Sequence, residues 1–211
     1  MDELLIYLKY APVASVIFAV TLITSLLAFY SEEVYGRFIL NPYRVARGES
    51  TYTLFTSGLI HKDWMHLFFN MMTYYFFAFA LELRIGHWQF GLLYVASLIL
   101  SDIPTVIKQR ENFWYRSLGA SGAISGVLFS YIMFNPMAQL GLMLIPIPIP
   151  AILFGGLYLA YCAYASRRNL GGINHDAHFY GALCGVIITI ILNPASVFIF
   201  FDTLSRALGR R

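Results

Sequence analysis

From Ser117 to Ser166 the chain carries no charged residue. A helix crosses the hydrocarbon core of a bilayer, about 30 Å thick, with roughly 20 apolar residues, so this stretch is too long for one crossing. Asn135-Pro136 and the run Pro146-Ile147-Pro148-Ile149-Pro150 divide it, because proline lacks the N–H and pushes the residue before it out of the helical region. Similar uncharged spans run from Tyr10 to Ser31, Trp64 to Leu81, Ile85 to Ser101 and Ala177 to Phe201. Only 12% of all residues are charged, against roughly a quarter in soluble domains. Too few polar groups exist to cover a watery surface, so lipid is the solvent this sequence implies. The spans are too long and too little alternating for barrel strands, which leaves helices.

The reading is therefore an all-α polytopic membrane protein. It forms one domain over residues 1–211, with six transmembrane helices over about 10–31, 63–82, 85–103, 119–134, 150–166 and 177–193, the last ended by Asn193-Pro194. Residues 32–62 read as a structured interfacial loop, and Trp114 and Tyr115 in the 102–118 connection as interface anchors. The first span lacks a small-residue cleavage pattern and reads as a retained helix. A net charge of +3 without a basic run argues against a nucleic-acid partner. Cys162 and Cys184 lie in apolar spans and read as small core residues.

Polar side chains inside such spans are costly, and each is a functional candidate. His66 and Asn70 stand one turn apart on one face of the second helix. Ser121 opens the fourth helix and His178 the sixth. Each has a plain alternative: helix packing for Ser121, an interfacial position for His178, cross-helix hydrogen bonding for the other two. Taken together they converge. Gly122 and Gly126 follow Ser121, and Gly181 and Gly185 follow His178, so two small-residue faces can approach closely. Helices two, four and six run in the same direction, and all four polar groups lie near their starts, at one membrane level. That arrangement suits acyl transfer. His178 takes the Ser121 proton and returns it to the leaving amine, while Asn70, His66 and the Ser121 backbone N–H offer donors to an oxyanion. No carboxylate is placed to orient His178, so a Ser–His dyad is expected, without cofactor or metal.

These residues carry a resemblance. The segment from His61 through Asn70, the run Gly119-Ala120-Ser121-Gly122, and Ala177-His178 followed by Gly181 and Gly185 resemble three ordered motifs of the rhomboid intramembrane serine proteases. Leu81-Glu82 with Gly86 fits that family's end to the second helix. The resemblance spans about residues 10–200. It implies Ser121 as nucleophile, His178 as base, His66 and Asn70 as oxyanion donors, and Gly119, Gly122, Gly126, Gly181 and Gly185 as packing residues at the site. It further implies transmembrane-protein substrates, single-pass or other, a site open to the extracytoplasmic side, and cytoplasmic termini. The charge count points the other way, with five of the fourteen Lys and Arg on the side of the termini. The resemblance is preferred, because much of the opposing charge lies in the 32–62 loop. The expected location is a prokaryotic plasma membrane. Tyr52-Thr53 replaces the family's usual Trp-Arg, so either Arg44 or Arg47 braces the loop or the 32–62 segment is held differently. Pro150 and Gly155-Gly156, with Gly171-Gly172, read as a movable gate.

Four rivals are weighed. An inactive rhomboid-like client binder predicts loss of Ser121 or His178, and both are present. A transporter needs charged groups at mid-depth. A zinc site of His61, His66, His175 and His178 lacks HExxH spacing. A soluble hydrolase elbow needs glycine at position 123, which is alanine.

Overall fold

A computed structural model describes residues 7–142, 145–168 and 171–209; two charges in the count above, Arg210 and Arg211, lie outside them. Ten α-helices of the described residues organise the chain: α1 (Pro12–Tyr30), α2 (Glu32–Phe38), α3 (Pro42–Val45), α4 (Thr53–Thr56), α5 (Trp64–Ile85), α6 (His87–Gln109), α7 (Ser121–Phe134), α8 (Ala151–Arg168), α9 (His175–Leu192) and α10 (Ala195–Leu208). Large apolar side chains point outward along the long helices, as with Ile23, Phe76, Trp88 and Ile191, each more than half exposed. Such a belt suits lipid and not water. By length and composition, three helices can cross a membrane: α1, α6 and α9. Helix α7 is apolar but only 14 residues long, about 21 Å. Helices α5 and α8 have the length, yet His66, Asn70 and two tyrosines dilute one and Arg167-Arg168 the other. Three helices thus meet the mark where six are expected from the sequence.

The all-α expectation needs one correction. Residues 139–142 and 145–150 pair as antiparallel strands, β1 (Gln139–Leu142) and β2 (Ile145–Pro150), with Gln139 opposite Pro150 and Leu140 opposite Ile149. The prolines read as helix breakers break the helix by making a strand. They fall two residues apart, and a register irregularity interrupts the pairing between Leu140 and Leu142. Just beyond the paired residues, Ala151 N at the start of α8 donates to Ala138 O at 2.8 Å.

Two helix ends also differ. Helix α6 continues past residue 103 to Gln109 with Pro104 inside it. Proline forfeits one backbone bond, but Thr105 and Val106 beyond it are buried and hold the turn. After Asn193-Pro194 the chain restarts as α10. Pro194 sits at its N-cap, where a missing N–H costs nothing.

Helix α7 is the centre of the molecule, buried along almost its whole length. Its glycines determine how closely α6 and α9 approach. A Cβ on Gly181 would land on the Gly122 carbonyl, and one on Gly185 on the Gly126 carbonyl. On the other side, Gly122 and Gly126 face Ser101 and Ser97 of α6. Helix α1 has no side-chain cap of its own. Glu82, fully buried near the end of α5, accepts from Val13 N at 3.1 Å and Ala14 N at 2.6 Å. A carboxylate from another helix thereby satisfies two of the orphan N–H groups and faces the positive helix end.

The 32–62 segment is structured, holding α2, α3, α4 and a 3-10 turn at Ser57–Leu59. Leu59 O accepts from Thr24 Oγ1 at 2.5 Å and Ser25 Oγ at 3.0 Å, which ties the turn to α1. Leu40 and Ser117 form a two-way backbone bridge, at 3.0 and 3.1 Å. Arg47 braces the loop from below. It donates to Arg110 O at 2.9 Å and to Glu111 Oε2 at 3.1 Å, and stacks on Tyr43. Arg44 reaches only Glu49, five residues on.

Candidate active site

Ser121 is the first residue of α7 because the chain turns sharply before it. Gly119 has φ +113°, a conformation that side chains other than glycine's rarely adopt. A Cβ there would also strike the His66 ring, 2.6 Å from Cε1 and 2.8 Å from Nε2. The turn is pinned from outside, with Gly119 N donating to Ser57 O at 2.9 Å. Beneath it His61 is fully buried, its Nδ1 2.9 Å from Ser25 Oγ. Burial, helped by neighbouring His66 and opposed by Asp63, lowers the His61 pKa from 6.5 to about 3.

His178 Nε2 lies 2.7 Å from Ser121 Oγ. Both side chains are half-buried. The close approach of α9 to α7 at Gly181 and Gly122 sets this distance. Asn174 caps α9, its Oδ1 accepting from Ala177 N at 3.1 Å and Thr105 Oγ1 at 3.0 Å. Its amide donates to Ser117 Oγ at 3.0 Å and Asp102 Oδ1 at 3.3 Å. One capping side chain thus joins α9, α6 and the approach to α7. The Tyr158 ring of α8 stacks on His178, centroids 6.3 Å apart and 13° from parallel. Tyr158 is held in turn by Ser125 Oγ at 2.7 Å, which itself donates to Ser121 O at 2.8 Å. The three carboxylates lining the cavity are committed elsewhere: Asp63 to His66 N, Asp176 to Lys108 and Ser166, Asp102 to Asn174.

On the facing helix, Asn70 is buried and donates one amide N–H to His66 O at 2.9 Å, while its Oδ1 has no hydrogen-bond partner. The reverse amide orientation would set two oxygens against each other, so a second Asn70 N–H remains free to donate. His66 Nδ1 faces Lys62 N at 3.5 Å. An acceptor Nδ1 leaves the proton on Nε2 of the neutral ring, on the side next to Gly119. A cavity of about 590 Å³ opens over Ser121, His178, His66, Asn70 and Gly119, within the size range of ligand pockets, about 300–1,000 Å³.

Residues 48–195 match the family model described as the Rhomboid domain. The chain belongs to the rhomboid family. It is 35% identical over 147 residues to the Bacillus subtilis (strain 168) protein named "Putative rhomboid protease YdcA", a stretch covering 67% of this chain and 66% of that one. It is 29% identical over 156 residues to the Saccharomyces cerevisiae "Rhomboid protein 1, mitochondrial", covering 65% of this chain and 41% of that one. "RHOMBOID-like protein 4" of Arabidopsis thaliana is 27% identical, with 72% and 37% covered. This rhomboid chain therefore spans less than two thirds of the length of these relatives. Family and apolar helices together make it a membrane protein.

Within this rhomboid chain, Ser121, His178, His66 and Asn70 come from three helices to one cavity, and the five glycines lie beside it or one turn below. The four-histidine set does not come together as one cluster among the described residues. His61 and His66 pair with ring centroids 4.9 Å apart, and His175 pairs with His178 at 5.9 Å. Sequence reasoning missed Asn174, Tyr158 and the serine pair Ser97 and Ser101, and named His61 without its place beneath the Gly119 turn. Asn174 had a signal, an N-cap residue just before an apolar helix. The serines had one too, four residues apart on α6 and so on one face. Nothing in the sequence singles out Tyr158 among the tyrosines of α8.

Proposed function

We propose that this chain is a serine-type intramembrane endopeptidase that cleaves transmembrane protein substrates by a Ser121–His178 dyad. The observation that carries the reading is the 2.7 Å contact between Ser121 Oγ and His178 Nε2 at a cavity that opens outward. His178 accepts the Ser121 proton as Oγ attacks the scissile carbonyl, then delivers it to the leaving amine. The free Asn70 N–H, the His66 Nε2–H and the first N–H groups of α7, which have no partner within their own helix, are the donors to the oxyanion. Tyr158 holds the imidazole by stacking in a site where no carboxylate does so.

The reading includes six crossings, by α1, α5, α6, α7, α8 and α9, in a single domain. The short α7 is enclosed by its neighbours and has no need of full bilayer length. The termini lie in the cytoplasm of a prokaryotic cell and the cavity faces the opposite side. The alternative is a catalytically inactive client binder. Both the intact dyad and its hydrogen bond favour the enzyme.

A fluorophosphonate probe labels the wild-type protein and fails to label Ser121→Ala and His178→Ala, while all three remain folded in detergent. Cleavage of a transmembrane substrate in proteoliposomes follows the label. Cleavage persisting in purified Ser121→Ala protein refutes the mechanism. A wild-type protein that retains substrates without cutting them favours the client binder.

A further inference from the structure

Next to the dyad lies a second cluster, of which the proposed chemistry uses only His178. Cys162 of α8 and His175 and His178 of α9 each offer a ligand atom, and these atoms lie within 4.8 Å of one another. Cys162 is 1% exposed and His175 4%. Neither ring nitrogen of His175 has a hydrogen-bond partner. A buried polar atom without a partner is destabilising, and here two sit on one ring. The ring has apolar company on one side, with the Tyr161 ring meeting it edge-on at 5.5 Å. The cysteine thiol and the second imidazole are its remaining neighbours of note.

We propose that Cys162, His175 and His178 form an inhibitory site for a thiophilic divalent cation, of which Zn²⁺ is the chemical type. One sulfur and two imidazole nitrogens are the ligand set zinc prefers, with three protein ligands and an open fourth position. Zinc–nitrogen bonds of about 2.0 Å and zinc–sulfur bonds of about 2.3 Å place tetrahedral ligand atoms roughly 3.5 Å apart. The cluster must therefore contract by about 1 Å, which side-chain torsions of Cys162 and His175 supply. His175 and His178 are three residues apart on one helical face, and Cys162 lies near the end of α8, at the same level. His178 lines the cavity, so water can enter the fourth position. On binding, Cys162 releases its thiol proton to solvent and both imidazoles bind neutral.

Occupancy disables the base whichever nitrogen of His178 is used; this consequence rests on the proposed function. A neutral imidazole has one lone pair and one N–H. If Nε2 binds the cation, its lone pair is spent. If Nδ1 binds, Nε2 carries the proton and cannot accept another from Ser121. The cation is then a reversible brake on the same histidine that the reaction needs, and no part of the reaction itself.

The test separates binding from turnover. Co²⁺ added to the metal-free protein in detergent serves as the probe, since a thiolate ligand gives it a charge-transfer absorption. The expected result is one Co²⁺ per chain, a thiolate band, and its loss on adding Zn²⁺. Ser121→Ala keeps the band. Cys162→Ser abolishes it, and His175→Ala weakens Co²⁺ binding by at least about tenfold, since even an outer partner of a metal ligand is worth that much. In the cleavage assay with chelator present, Cys162→Ser and His175→Ala cut as the wild type does, and each needs at least about tenfold more Zn²⁺ for half-inhibition. Absence of a thiolate band in the wild type overturns the proposal, as does a band or a zinc sensitivity unchanged in Cys162→Ser. If the wild type cuts nothing, the enzymatic reading fails while the Co²⁺ band still decides the site.

Discussion

Gly181→Ala tests whether helix approach sets the catalytic distance. A Cβ at 181 stands 2.8 Å from Gly122 C and 3.1 Å from Gly122 Cα, and closer still to the carbonyl oxygen. Non-bonded carbons rest about 3.5–4.0 Å apart, so the two backbones must separate by about 0.7–1 Å. Neither side can yield locally, because both are helix backbone. His178 is one turn earlier on the same helix and moves with it. The 2.7 Å bond to Ser121 then stretches to about 3.5 Å, beyond useful hydrogen-bonding range. Overpacking of this kind costs about 1–3 kcal/mol of stability, and a misplacement of about 1 Å in a reacting pair costs about 100-fold in rate. The assays are thermal unfolding in detergent, fluorophosphonate labelling rate and cleavage in proteoliposomes. Gly36→Ala is the control, since nothing lies within 4 Å of its Cβ, and it changes neither property adversely. A folded Gly181→Ala protein that labels and cleaves at the wild-type rate refutes the idea that this glycine contact positions the dyad.

Three further outcomes are expected. Asn70→Ala and His66→Ala each lower kcat by about 100- to 1,000-fold with little change in KM, as the loss of a donor to the oxyanion does; a change in KM alone assigns these residues to binding. Glu82→Ala leaves Val13 N and Ala14 N without their acceptor and destabilises the protein by about 2–3 kcal/mol, read as a lower unfolding temperature; an unchanged temperature rules out the borrowed cap. His61, depressed in the fold from 6.5 to about 3, stays neutral there while the unfolded chain binds a proton. Its share of stability is therefore complete above pH 6.5 and is lost as pH falls towards 3, with a slope near one proton, about 1.4 kcal/mol per pH unit. His61→Gln flattens that acid-side decline in pH-dependent unfolding, and an unaltered slope removes His61 as its source.

What could be read from the sequence follows from what a one-dimensional pattern records. Charge cannot enter lipid cheaply, so runs without charge mark the helices whatever their partners are, and all six expected starts fall within two residues of an observed helix start. Glycine every fourth residue beside a polar group records a close helix contact, which is why Ser121 and His178 could be paired before any fold was known. Patterns fail where one residue serves an element far along the chain. Glu82 fits a motif at the end of its own helix, yet its carboxylate caps α1, some 68 residues earlier. Tyr158 looks like any tyrosine of a lipid-facing helix until Ser125 and His178 meet it. The prolines of 146–150 announce a break but not its shape, because the strand they form depends on Gln139 and Leu140 lying opposite.

The same limit bears on the histidines. The four histidines lack a metal spacing along the chain, and among the described residues those four do not form one cluster. The set that does, with Cys162 in place of His61 and His66, is joined through the facing of α8 and α9 and leaves no spacing signature. Cys162 read as a small core residue, and its burial agrees with that. Burial alone cannot separate a packing thiol from a ligand. The two unpartnered nitrogens of His175 beside it can, because a purely structural histidine at 4% exposure would be expected to have its polar atoms satisfied.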